Sequence, residues 1–211
     1  LDRAGITGDD GPSHHGVLDM ALALRIPGMT VFAPSSVEEV RAMLRTALTL
    51  DGPALVRWPK GTPRSVPESE IGTGLRALRL REGGGDACIL AVGKLVGAAV
   101  DAAALLTADG TDATVWDVRV VKPLDPEMLA DAARHDLVVT VEDGVRVGGA
   151  GSLIADALAA LGHRGSVVQL GTPDTYIPHG KADAVLAALG LDAAGVAASV
   201  QAALALRATT A

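Results

Sequence analysis

The chain has 211 residues, enough for one full domain and part of a second. Hydrophobic residues make up 49% of it and aromatic residues only 2%, a composition typical of Ala, Val and Leu packed in helices against a buried parallel sheet. The net charge of -7 lacks the basic footprint that a nucleic-acid or anionic-membrane surface needs.

Membrane and secretion signals are also missing from the sequence. No uninterrupted apolar run approaches the roughly 18 residues of a membrane span, and no charged segment precedes an apolar one at the start. We therefore expect a cytoplasmic protein that binds neither membrane nor nucleic acid. The single cysteine, Cys88, lies in an apolar run and is predicted to be buried and inert.

The first sixteen residues carry the densest chemistry. Arg3 supplies a fixed donor fork suited to phosphate or carboxylate, and His14 and His15 can carry protons near neutral pH. Adjacent histidines point apart, so we expect one to point inward and the other to solvent, and a metal site is disfavoured. Such chemistry with no strand or helix before it predicts a piece of a longer protein. For Arg3 the alternative is a structural salt bridge to Asp2, Asp9 or Asp10.

The next fifty residues predict a helix, a strand, a helix and a strand. Apolar spacing predicts a short helix over 17–24 and a buried strand over 30–33. Ser36 and Glu39 form a capping box that opens the next helix, and a second strand follows over 54–58. A strand, helix and strand in this order favour parallel pairing.

Residues 63–74 have no hydrophobic period and are predicted to be a linker between 1–62 and 75–211. Strands are predicted at 75–80, 87–92, 113–118, 137–141 and 167–170. Helices are predicted at 95–106, 126–133, 152–161, 182–189 and 193–206, the last capped by Asp192. This alternation indicates an α/β fold with a mostly parallel sheet. The first of these strands precedes a glycine turn, which predicts an antiparallel edge strand.

Two further places could carry chemistry. Lys60 follows a strand end and could bracket a phosphate together with Arg3, or be a solvated loop charge. The glycines at 148–151 loosely resemble a phosphate loop, but we favour close packing of helix on sheet. The remaining histidines are interpreted as surface or structural residues: His135, His163 and His179.

Short motifs recur in a fixed order along the chain. After the opening residues they lie at 51–53, 57–61, 121–125, 141–143, 148–152 and 177–180. Together they resemble the 1-deoxy-D-xylulose-5-phosphate synthases, a family of transketolase-like thiamine diphosphate enzymes, from residue 1 to about residue 200. The resemblance implies that 1–62 is the C-terminal portion of a pyrimidine-binding domain and that 75–211 is a transketolase C-terminal-like domain.

The family resemblance also implies an activity and its partners. These enzymes join pyruvate to D-glyceraldehyde 3-phosphate with loss of carbon dioxide, for isoprenoid precursor and thiamine synthesis. Thiamine diphosphate and Mg²⁺ are implied, with their ligands mostly outside this chain. A homodimer is implied, as is a missing N-terminal portion without which the chain is inactive. The alternatives are a transketolase, a pyruvate dehydrogenase E1 beta-type protein, or a non-catalytic scaffold and dimerisation module.

Site roles follow from the same resemblance. Arg3 and Lys60 are implied to bind the substrate phosphate, and Asp10 and His14 to line the pocket as catalytic residues. Lys60 stands where many relatives have arginine, which replaces a bidentate fork by a point charge. His15 could compete with His14 for the inward position, but the motif places His14 there.

Overall fold

The computed structural model describes residues 1–62 and 64–210. Residues 63 and 211, where the predicted linker begins and the predicted second domain ends, lie outside the described residues. The helices are α1 (Asp19–Ala23), α2 (Val37–Ala47), α3 (Val96–Ala108), α4 (Pro126–Ala132), α5 (Ala150–Ala160), α6 (Ala182–Ala188) and α7 (Ala193–Thr210). The strands are β1 (Thr30–Phe32), β2 (Ala54–Val56), β3 (Leu78–Arg81), β4 (Ala87–Ala91), β5 (Ala113–Asp117), β6 (Val120–Lys122), β7 (Leu137–Val145) and β8 (Ser166–Thr172). Short 3-10 turns lie at Gly8–Asp10, Glu68–Glu70 and Gly93–Leu95.

A small sheet forms in the order β2-β1-β6. β1 and β2 are parallel, with Thr30 opposite Ala54, so the predicted parallel pairing across α2 is confirmed. The helix begins where the capping box predicts, because Ser36 Oγ accepts a hydrogen bond from the Glu39 backbone N–H at 3.1 Å.

The third strand of this sheet, β6, is absent from the sequence prediction. It pairs antiparallel with β1, with Val31 opposite Lys122. It is only three residues long and lies between Arg119, whose backbone is left-handed, and Pro123. Such a short strand shows no hydrophobic period in the sequence. The division into 1–62 and 75–211 stays a prediction, since a strand from the second segment completes the sheet of the first.

The predicted linker lies against α2. The Gly72 backbone N–H donates to Glu39 Oε1 at 2.6 Å, and the Val66 N–H donates to Glu38 Oε2 at 3.1 Å. Ser65 Oγ also donates to Glu38, at 2.9 Å. Acidic side chains at the start of α2 therefore fix the path of this segment.

The larger sheet has the order β3-β5-β4-β7-β8. Its last four members are parallel, and β3 runs antiparallel to β5 at the edge, with Leu78 opposite Asp117. The predicted mostly parallel sheet with one antiparallel edge strand is confirmed. β7 is longer than predicted and continues beyond residue 141 to Val145.

Both faces of this sheet are covered, and β4 shows how. Ile89 and Ala91 pack towards α3 and α7, whereas Cys88 and Leu90 pack towards α4 and α5. All four are fully buried. The prediction for Cys88 is confirmed, and burial raises the pKa of its thiol well above the usual value.

The final helices cover one face of the sheet. Asp192 Oδ1 accepts a hydrogen bond from the Gly195 N–H at 2.8 Å, which confirms the predicted cap. By length and hydropathy alone the 28-residue stretch Ala182–Thr209 could cross a membrane, with a mean hydropathy of 1.6 in its most apolar 18-residue window. The expectation that no apolar run approaches the length of a membrane span did not anticipate this stretch. The structure divides this stretch into two helices, and Val196 and Val200 are buried in the core. A core helix of a globular protein passes the same test, so the stretch does not suggest a membrane protein.

A buried ion pair joins the two segments. Arg119 Nε lies 2.8 Å from Glu39 Oε2, and the two side chains are 1% and 0% exposed. The Arg119 guanidinium also donates to the backbone carbonyl of Arg76 and, at 3.5 Å, to that of Thr73 in the predicted linker. One side chain thus connects α2, the predicted linker and the turn between β5 and β6.

Replacement of Arg119 tests this junction. We expect Arg119→Met to lower the free energy of unfolding by about 3 to 5 kcal/mol, because the Glu39 carboxylate is left buried without its partner. Urea denaturation measures the change. The control is Arg45→Met, at an exposed position of α2, the helix that carries Glu39. Equal losses in the two variants would contradict the prediction.

Candidate functional site

The opening loop and the end of β2 come together at one surface. The Leu1 amino group donates to Val56 O at 2.8 Å, and the Ala4 N–H donates to Trp58 O at 3.0 Å, so residues 1–4 run beside this strand. Arg3 adopts a left-handed conformation, with φ of 58°, which is uncommon for a residue with a side chain. This pairing places Arg3 beside the loop that carries Lys60.

Three of the predicted site residues are in direct contact. Arg3 Nη1 lies 2.8 Å from Asp10 Oδ2, and Lys60 Nζ lies 2.7 Å from Asp10 Oδ1. Both cations are 45% exposed and Asp10 is 23% exposed. The structure therefore contains the Arg3 salt bridge that the sequence offered as an alternative, and it also brings together the two cations that could bracket a phosphate.

His14 lies close to the same group. The hydrogen bond from Lys60 and the charges of Lys60, Arg3 and His14 hold the pKa of Asp10 below its usual value. His14 is itself exposed, and its Nδ1 lies 3.0 Å from Ser13 Oγ. All four predicted site residues thus surround one exposed patch.

The two adjacent histidines take opposite orientations, as predicted. The Thr7 N–H donates to His15 Nδ1 at 3.0 Å, which leaves Nε2 protonated and 3.4 Å from Pro178 O. The His14 side chain is exposed on the patch with Arg3 and Lys60, and the motif-based expectation that it lines a substrate pocket stays a prediction. His15 is held by the hydrogen bond of a neighbouring loop, while His14 faces outward.

A buried chain of charges lies beneath the opening loop. Lys94 Nζ lies 3.5 Å from Asp143 Oδ2, Arg57 Nη1 lies 3.0 Å from Asp143 Oδ1, and Arg57 Nε lies 2.8 Å from Asp19 Oδ2. Burial opposes the charged form of Asp143, but Arg57 and Lys94 together hold its pKa below the usual value. None of these residues was predicted as part of a site, although Arg57 and Asp143 lie in the motifs at 57–61 and 141–143.

A groove of about 940 Å³ opens beside Lys60. Residues of both segments line it, including Trp58 and Val37 from the first and Lys94 and Leu186 from the second. Lys60, but not Arg3, therefore lines a largely apolar cleft.

The glycine loop at the start of α5 is filled by a side chain of the protein. Glu142 Oε1 accepts a hydrogen bond from the Gly151 N–H at 2.8 Å. A Cβ at Gly149 would lie 2.5 Å from Glu142 Oε2, so only glycine permits this approach. Glu142, on β7, thus occupies the position at the helix N-terminus where an anion would bind. The glycines allow close packing of helix on sheet, as predicted.

The described residues do not fit the metal ion or the diphosphate group that the family resemblance implies. No group of three or more His, Cys, Asp or Glu side chains within residues 1–62 and 64–210 is arranged to hold a metal. The strongest candidate for an anion cradle, at α5, is occupied by Glu142. Any such cofactor would need ligands from another chain or segment.

The three remaining histidines are structural or surface residues, as predicted. His135 is buried, with Nδ1 3.1 Å from Asp131 O and Nε2 3.3 Å from Thr114 Oγ1. His163 Nδ1 lies 3.3 Å from a backbone carbonyl, and His179 is exposed.

Comparison with known protein families agrees with this architecture. Residues 1–65 match the family described as the transketolase pyrimidine binding domain. Residues 75–196, more than half of the chain, match the transketolase C-terminal domain. The chain belongs to the transketolase family. The predicted fold class is thereby confirmed.

Curated relatives within the transketolase family are bacterial. The chain is 44% identical over 207 residues to the 1-deoxy-D-xylulose-5-phosphate synthase of Dechloromonas aromatica, covering 96% of the chain and 32% of the relative. It is 45% identical to the enzyme of that name from Chromobacterium violaceum, covering 95% of the chain and 32% of the relative. The chain thus spans about a third of the length of these relatives.

A solved transketolase structure has the same fold. It is described as a split gene transketolase in an inactive beta4 tetramer, with a TM-score of 0.84 and 34% identity. The match covers 98% of this chain and 65% of the other.

The Glu142 carboxyl gives the fold a pH dependence. Burial raises its pKa from an ordinary value of 4.5 to about 7. The folded state therefore keeps a proton that the unfolded state loses, and this carboxyl makes the protein less stable as the pH rises from about 4.5 to 7.

Glu142→Gln removes this effect, because glutamine has no charge to bury. We expect the variant to gain about 1 to 3 kcal/mol relative to the unchanged chain between pH 4.5 and 7. Urea denaturation across this range measures the difference, with exposed Glu68→Gln as control. A difference that does not vary with pH would contradict the assignment.

Proposed function

We propose that this chain is the part of a 1-deoxy-D-xylulose-5-phosphate synthase that binds the aldehyde substrate, D-glyceraldehyde 3-phosphate. The observation that carries the proposal is the convergence of Arg3 and Lys60 on one pair of acceptor oxygens, at 2.8 and 2.7 Å. The identity of 44 to 45% with synthases over nearly the whole chain supports the choice of reaction. That reaction joins pyruvate to the aldehyde with loss of carbon dioxide.

The two cations are suited to a phosphate group. The guanidinium presents parallel N–H donors and the ammonium adds a mobile point charge, so together they can neutralise a dianion. In the described structure the Asp10 carboxylate accepts from both of them. A phosphate that binds to both cations would displace this carboxylate from them, which frees Asp10 to accept a hydrogen bond from another group of the substrate.

Asp10 and His14 would act next to the reacting carbonyl. The pKa of Asp10 is held low, so this residue stays ionised and accepts a hydrogen bond from a substrate hydroxyl. His14 has an exposed imidazole that can donate a proton to the oxygen that becomes negative during carbon–carbon bond formation. Both roles place the reacting end of the substrate on the exposed side of the opening loop.

The complete enzyme would need further protein. In the proposed enzyme, thiamine diphosphate supplies the chemistry that decarboxylates pyruvate, and Mg²⁺ and the diphosphate are held by residues outside those described here. We therefore propose that the chain is inactive alone and acts in the cytoplasm, in a homodimer together with the N-terminal portion of the synthase. The solved relative, described as inactive in its beta4 tetramer, supports the proposed inactivity of the chain alone.

Reconstitution tests the function. We expect the chain, mixed with the N-terminal portion of a synthase, thiamine diphosphate and Mg²⁺, to release carbon dioxide from pyruvate only when the aldehyde phosphate is added. A two-carbon ketol donor used in place of pyruvate would assign the chain to a transketolase instead. No product with either donor would favour a non-catalytic scaffold.

Arg3→Ala should impair this reaction through substrate binding. Loss of a charge-assisted hydrogen bond of about 1.5 to 3 kcal/mol raises the KM for the aldehyde phosphate by roughly 10- to 150-fold. Steady-state kinetics measure the change, with exposed Lys181→Ala as a control that removes a cation elsewhere. An unchanged KM in Arg3→Ala would exclude a phosphate contact.

Asp10→Asn should strengthen the binding of simple anions to the chain. Asparagine keeps the shape but removes the negative charge that competes for Arg3 and Lys60. We expect the affinity for inorganic phosphate to rise by several-fold, as measured by NMR titration of the isolated chain. Weaker phosphate binding by the variant would show that the carboxylate does not occupy the anion position.

A further inference from the structure

The two cations of the proposed phosphate site lie on loops that share one buried support. Arg57 stands three residues before Lys60 and is 2% exposed, while Asp143, at 1% exposed, lies directly beneath the opening loop. A Cβ at Gly5 would lie 1.7 Å from Asp143 Oδ2, so the loop backbone rests on this carboxylate. The glycine has a φ of +72°, which also favours a residue without a side chain.

Lys94 contacts the opening loop from the second segment. Its Nζ donates to Ile6 O at 2.9 Å and forms the ion pair with Asp143 at 3.5 Å. Ile6 stands midway between Arg3 and Asp10 in sequence and is itself fully buried. The ammonium therefore fixes the middle of the loop whose ends carry a phosphate-binding cation and its carboxylate partner.

We propose that Lys94 is a positioning residue, which acts through Ile6 and Asp143 to set the separation of Arg3 and Lys60 for a phosphate ligand. This inference rests on the proposed function, since it concerns the geometry of that site. Lys94 does not touch Arg3 or Lys60 through any described bond, and it acts from the turn that begins α3.

Removal of Lys94 leaves the deeper charges paired. Asp143 keeps its 3.0 Å contact with Arg57, and Arg57 keeps its 2.8 Å contact with Asp19. The Lys94 side chain is 18% exposed, so an apolar replacement of similar length can be accommodated at the groove. The losses are the bond to Ile6 O and the 3.5 Å ion pair with Asp143, which leave the loop less well placed while Arg57 still neutralises the buried carboxylate.

Phosphate binding to the 211-residue chain tests the proposal. Inorganic phosphate is titrated into the ¹⁵N-labelled chain and into the variants Lys94→Met, Lys94→Arg and Lys181→Met, and amide shifts report affinity. We expect Lys94→Met to bind phosphate about tenfold more weakly, with amide shifts near Ile6 before any phosphate is added. Lys94→Arg, which keeps a donor, should restore most of the affinity, and Lys181→Met should match the unchanged chain.

The outcomes separate this inference from the proposed function. Equal phosphate affinity in Lys94→Met and the unchanged chain would overturn the positioning role and leave the phosphate site intact. Weak binding in both Lys94→Met and Lys94→Arg would overturn it too, because the residue would then matter for packing and not as a donor. No phosphate binding by the unchanged chain would overturn the proposed site itself, and the positioning role with it.

Discussion

The buried carboxylate of Asp143 is the constraint on which the site depends. A charge with 1% exposure is tolerated only where opposite charges reach it, and here one comes from each segment, Arg57 from the first and Lys94 from the second. Both segments must therefore meet in one arrangement before this group is stabilised. The opening loop rests on that arrangement through Gly5, so the geometry of the exposed site is a consequence of charge pairing in the interior.

Acidic side chains of the protein occupy both positions that suit an anion. At α5 the Glu142 carboxylate is buried and bonded to the helix N-terminus, so that position is closed to ligands. At the surface Asp10 is partly exposed and held by two flexible cations, so a ligand can compete with it. Burial thus distinguishes the structural carboxyl group of Glu142 from the accessible carboxylate of Asp10, with which a ligand can compete.

Much of the fold follows from helix caps and hydrophobic patterns that are visible in the sequence. Ser36 and Asp192 cap their helices as predicted, and the alternation of apolar segments gives the parallel sheet and its antiparallel edge. β6 could not be predicted, because a three-residue strand owes its existence to pairing with β1, about ninety residues earlier in the chain. The orientation of His14 and His15 depends on the Thr7 N–H, a contact made by a loop fold that no spacing rule describes. Lys94 was missed for the same reason, since its partner Ile6 is 88 residues away.

The pairing of β1 with β6 also bears on how the chain can fold as it is synthesised. β1 and β2 leave the ribosome before β6, as a parallel pair of three-residue strands that lacks the third strand of its sheet. The strand that completes this sheet ends at Lys122, and the Arg119 guanidinium that neutralises Glu39 emerges just before it. The first segment therefore reaches its final structure only after the chain up to Lys122 has been synthesised.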